Sequence, residues 1–76
     1  MPYKVEIDAE NLMPGDRIYA PLEDATVRVM RAGESCRDRF GRDMIRYWCR
    51  AESGDRKGHE GFMTYGPGAR VTLAYR

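Results

Sequence analysis

Cys36, Cys49 and His59 are the side chains of this 76-residue chain best suited to hold a metal or attack an electrophile. Their spacing supports neither role. A structural zinc site needs four ligands, with its cysteines usually paired a few residues apart, and three scattered ones fall short. Cys36 with His59 is a conceivable nucleophile and base, but nothing in the spacing brings them together. Cys49 belongs to the alternating stretch DMIRYWCRA, residues 43–51, on the side that turns inward, and buried thiols are generally inert. In SGDRKGHEG, residues 53–61, glycines stand near Arg56 and Lys57. The segment lacks the G-x-x-x-x-G-K-[ST] order and the following helix that cradle a nucleotide phosphate. No metal, no cofactor and no catalytic set is expected, and the chain reads as a non-enzyme.

What the chain offers instead is arginine interleaved with aromatic rings. In DMIRYWCRA, Ile45, Tyr47, Cys49 and Ala51 alternate with Met44, Arg46, Trp48 and Arg50. Arginine is almost never fully buried, so Arg46 and Arg50 must point outward and take the sole tryptophan with them. The same logic applied to ATVRVMR, residues 25–31, turns Val27 and Val29 inward and Arg28 and Met30 outward. Paired as a hairpin, the two runs present one outer patch of Arg28, Met30, Met44, Arg46, Trp48 and Arg50. Guanidinium groups fork onto phosphates and carboxylates, and an indole stacks on bases or fills a partner's pocket. Two arrangements stay open. Either the patch is free to bind, or arginine stems or the N-terminal strand lie across Trp48 and cover it.

A second basic cluster is predicted at the hairpin tip, where Arg37, Arg39 and Arg42 surround Phe40. Such tips suit contact with a phosphate backbone, although Asp38 and Asp43 offset much of their field. The candidate partner-binding residues are therefore Arg28, Met30, Arg39, Phe40, Arg42, Arg46, Trp48 and Arg50.

These side chains depend on short strands for their positions. MPGD at 13–16 and YGPGA at 65–69 place Pro–Gly at the centre of tight turns, with glycine free to take the positive φ of a type II turn. RFGRD at 39–43 is a glycine-containing hairpin connection. Between these lie runs of period two: YKVEID, RIYAPL, ATVRVMR and ARVTLAYR, besides DMIRYWCRA. Only AENLM, residues 9–13, has helical spacing, and it is too short for more than one turn. The middle hairpin is predicted over roughly 26–34 and 43–51. The fold class is all-β, a small closed or partly closed antiparallel barrel of five to six strands.

A chain this short makes one domain, residues 1–76, and buries only about 60% of its unfolded surface. It has little room for a deep catalytic cleft. With 42% apolar and 33% charged residues it is globular. Net charge is +1, but residues 1–27 carry −4 and residues 28–50 carry +4. That asymmetry can build one basic face. A pI near 7.8 lies below the value of about 9 that marks dedicated nucleic-acid domains. Two cysteines do not make a disulfide framework, and reduced thiols in the cytoplasm fit best. No apolar run approaches the roughly 20 residues that span a bilayer, so no membrane role is expected. A proline amine at position 2 brings to mind tautomerases that use such an amine as base, but the long helices those proteins pack on their sheet have no counterpart here.

NLMPGDRIYA, then a long hairpin, a Gly-rich loop and FMTYGPGARVTLAYR, together resemble the SH3-like barrel architecture over residues 11–76. The first eight residues are then an added N-terminal strand. Members that resemble the KOW and Tudor branches bind nucleic acid or modified peptides, and others hold protein partners. The resemblance implies a binding module, with nucleic acid as the first partner. The alternative is protein–protein interaction or homo-oligomeric assembly through the same face or an exposed edge strand.

Overall fold

The computed structural model describes residues 4–20 and 24–74. It is all-β apart from one 3₁₀ turn at Ala9–Asn11. The strands are β1 Lys4–Asp8, β2 Arg17–Ala20, β3 Ala25–Val29, β4 Glu34–Arg37, β5 Asp43–Ala51, β6 Glu60–Tyr65 and β7 Arg70–Ala74. Every pairing is antiparallel, in the order β1-β7-β2-β3-β5. β3 pairs with residues 49–51 of β5 and β4 with residues 43–46, while β6 pairs with residues 45–50. β3 and β4 therefore share one edge of β5, and β6 takes the other. β1 and β6 have one neighbour each among the described residues, so the sheet does not close. Tyr3, Pro21, Leu22 and Tyr75, placed in predicted strands, lie outside the described residues. No helix of the described residues is long and apolar enough to cross a membrane.

Seven strands appear where five to six were expected: β6 lies outside the period-two runs, and the arm predicted at 26–34 is broken into β3 and β4. Val29 faces Cys49 and Glu34 faces Arg46, so residues 30–33 span only Tyr47 and Trp48 on β5. The cause is the Tyr47 ring. A Cβ on Gly33 would lie 2.7 Å from Cε1 of Tyr47 and 2.8 Å from Cδ1 of Ile45. The chain bulges outward to pass over the ring, and only glycine fits at the point of closest approach.

The turns follow their sequence chemistry. Gly15 takes φ 95° and Gly68 φ 75°, with Asp16 N–H donating to Met13 O (3.0 Å) and Ala69 N–H to Gly66 O (3.2 Å). Both are the type II geometry that Pro–Gly favours. At the hairpin tip Gly41 has φ 80°, and Asp38 accepts from Gly41 N–H while its own N–H donates to Arg42 O. That is a type I turn closed by a glycine bulge.

The inward sets of the strands meet in one core. Ile18, Val29, Tyr47, Cys49, Val71 and Leu73 are buried, and Ala9 and Leu12 of the 3₁₀ segment join them. Tyr47 is 1% exposed, and its hydroxyl donates to Ala9 O at 2.6 Å. The hydroxyl thus ties the centre of β5 to the 3₁₀ turn. Desolvation raises the Tyr47 phenol and pushes Tyr65 up to about 12, so both stay neutral in the core. The unclosed sheet leaves a groove of about 680 Å³ over Val27, Cys49, Ala51 and Met63.

Candidate nucleic-acid interface

The outer face of the sheet is built in cross-strand rows. In the first, Arg17 of β2 lies opposite Arg28 of β3, and Arg28 opposite Arg50 of β5. Directly opposed like charges destabilise a sheet. Glu52, just past β5, offsets part of this: its carboxylate lies 2.9 Å from Arg17 Nε and 3.3 Å from Arg28 Nε. Arg50 has no carboxylate in ion-pair range among the described residues. Its neighbour on β6 is Glu60, whose side chain accepts from Trp48 Nε1 at 2.7 Å instead.

The second row is apolar. Met30 N–H donates to Trp48 O (2.8 Å), and Trp48 lies opposite Phe62. The two rings meet edge to face, 4.9 Å apart at 77°. The Arg31 guanidinium sits 5.4 Å from the Trp48 ring and that of Arg46 4.2 Å from the Phe62 ring. Arg46 also pairs with Glu34 at 3.4 Å. Of the two arrangements open from the sequence, the free patch and the covered one, the Arg31 guanidinium over the Trp48 ring belongs to the covered one. β1 pairs with β7 at the far edge of the sheet. Trp48 is half-buried, while Met30 and Phe62 are exposed.

The hairpin tip is a separate place. From Asp43 to Arg50 the chain advances roughly 24 Å, at about 3.4 Å per residue. There Asp38 accepts from the N–H groups of Phe40 (2.8 Å) and Arg42 (3.0 Å) and from Arg42 Nε (2.7 Å). The backbone N–H of Arg42, foremost among these, holds its carboxyl below the ordinary 3.8. Arg37 pairs with Asp43 at 3.3 Å. Arg39 and Arg42 flank Phe40 at 5.2 and 5.6 Å, and the ring is 73% exposed. Arg42 is thus engaged in holding the turn, which leaves Arg39 and Phe40 as its free surface. The eight residues singled out from the sequence therefore fall in two groups. Arg28, Met30, Arg46, Trp48 and Arg50 share the outer face, and Arg39, Phe40 and Arg42 cap one end.

Sequence reasoning missed Phe62, Arg17 and Glu52. Phe62 was within reach, because the rule that turns Trp48 outward applies equally to EGFMTY, where Glu60, Phe62 and Thr64 form the polar set. The meeting of Arg17 with Arg28 depends on strand register, which alternation alone does not give.

The thiols sit on opposite faces. Cys36 lies opposite Met44 on the outer face and Cys49 opposite Val29 on the inner one, and both are free. His59 bonds to Ala51 at the far end of β5, which separates it from Cys36. Desolvation pushes Cys49 up to about 11. One thiol of the native protein, Cys36, is expected to react with an aromatic disulfide within minutes at pH 8, and both in denaturant. Two fast native thiols would show that the inner face is open to reagent.

A scan against protein-family models finds no match, and searches of curated proteins and of solved structures return no similar chain. The functional reading rests on the residues themselves.

Proposed function

We propose that this chain is a non-enzymatic binding module, on an open relative of the SH3-like barrel, that contacts nucleic acid through the outer face of β2, β3, β5 and β6. The observation that carries this reading is the row Arg17, Arg28 and Arg50, opposed across three strands with Glu52 as its one close carboxylate among the described residues. Folding alone disfavours such a row, whereas a polyanion laid across it relieves the repulsion and gains charge-assisted hydrogen bonds. Trp48 and Phe62 stand in the next row, where bases of a strand on the arginines would meet aromatic surface. Arginine at both rings adds cation–π contacts that a base can join or displace.

The test uses Trp48 fluorescence, since there is one tryptophan. Titration with short single- and double-stranded DNA and RNA at low salt should give a saturable change that moderate salt reverses. An emission unmoved by any of them would overturn the reading. One observation favours a second one, assembly with a protein partner or another copy. β6 is an edge strand without lysine or proline, and Phe62 on it is 46% exposed. A mass in solution that grows with concentration and ignores salt would support assembly instead.

A further inference from the structure

The arginine row borders a cleft of about 210 Å³, lined by Arg28, Met30, Arg50, Glu52, Lys57 and Gly58. That is room for a phosphate group and a few waters, at roughly 30 Å³ per water. Lys57 is brought there by a braced loop. Gly58 N–H donates to Ala51 O at 2.8 Å, Lys57 N–H donates to Gly54 O at 3.2 Å, and Ala51 N–H donates to His59 O at 2.9 Å. Gly58 sits at φ 89°, a conformation that closes this turn and favours glycine. The lysine is therefore carried on backbone tied to β5.

Three cations and one carboxylate line the cleft. The carboxylate of Glu52 is shared with Arg17, which lies closer to it than Arg28 does, 2.9 against 3.3 Å. Arg28 Nε is buried, and the Glu52 carboxylate 3.3 Å away pairs with it by charge without an aligned hydrogen bond. Neither Arg50 nor Lys57 has an ion pair among the described residues. The lining keeps an excess of two positive charges around a space that admits one anion and a few waters. A phosphodiester brings a single negative charge, whereas a phosphate monoester carries about −1.5 to −2 at neutral pH.

We infer that this cleft seats a phosphate monoester, the doubly charged group at a strand terminus, held between Arg28, Arg50 and Lys57. The inference rests on the nucleic-acid reading of the outer face and narrows it to strand ends. The same chemistry is available from free phosphate, and the experiment separates the two sources. Three probes are titrated into the whole protein at fixed salt: a 5′-phosphorylated ten-nucleotide single strand, the same strand with a 5′-hydroxyl, and inorganic phosphate. Affinity is read by Trp48 fluorescence, and position by NMR of the Gly58 amide and the arginine Nε–H groups. The phosphorylated strand should bind about 10- to 100-fold more tightly than the hydroxyl strand, as expected for charge-assisted hydrogen bonds, with Gly58 and Arg50 shifted. Arg50→Ala and Lys57→Ala should each remove most of that preference.

Equal affinity for both strands, with Gly58 unmoved, would overturn the seat and leave the nucleic-acid reading standing. Inorganic phosphate shifting Gly58 and Arg50 while neither strand binds would uphold the seat for a small phosphate and remove the nucleic-acid reading. No response to any probe would end both.

Discussion

Tyr47→Ala is expected to remove about 3–5 kcal/mol of folding free energy, a large share of the roughly 4–11 kcal/mol that a chain of this length possesses. The ring is the largest fully buried side chain among the described residues. It packs at 6.4 Å from Tyr65 and lies under Gly33, where the arm of the hairpin bulges over it. Truncation would leave a cavity that the bulge cannot collapse into without re-pairing β4 against β5. Tyr47→Phe separates volume from hydrogen bonding. It keeps the ring and loses the hydroxyl's bond to Ala9 O and its interaction with Leu12 N–H, but these two still bond to each other at 3.2 Å, so its cost should be about 0.5–1.5 kcal/mol. Urea unfolding followed by circular dichroism measures both. An alanine variant within 1 kcal/mol of the parent would mean that the core is not organised around this ring.

Arg50→Ala should move stability and binding in opposite directions. Removing it relieves the opposition to Arg28, so the fold should be unchanged or more stable by up to about 1 kcal/mol. Affinity for a single strand should nonetheless fall about 10- to 100-fold. The slope of log affinity against log salt should become shallower by about 0.7. A residue kept only for folding gives the reverse pattern, with lower stability and unchanged binding. Thermal unfolding and a salt series on the same two proteins decide between them.

Much of this arrangement is legible in the sequence wherever it depends on local rules. Pro14–Gly15 and Pro67–Gly68 specify their turns because proline fixes one φ and glycine supplies the other. The two faces of β5 follow from the refusal of arginine to be buried, which also places Trp48 outside. What stays hidden depends on contacts distant in sequence. Nothing near Gly33 announces a break, because the reason for it is the ring of Tyr47, on a different strand. Alternation assigns Arg17, Arg28 and Arg50 to outer sets one at a time. That they line up in a row is a matter of register between β2, β3 and β5, fixed by packing on the inner face. Glu52 was legible only as an acid beside basic loops, and its position between Arg17 and Arg28 comes from the same register.

Lys4 lies opposite Ala74, so these ends of β1 and β7 stand side by side. Tension applied there acts across the ladder and loads one hydrogen-bonded pair at a time. The molecule should therefore open as a zipper does, at low force and from a single end. β1 has no second neighbour among the described residues, so it is released first, and β7 becomes the new edge. The arginine row spans β2, β3 and β5 and lies beyond that first event. A tethered molecule that has already lost its first strand should still present an intact binding face.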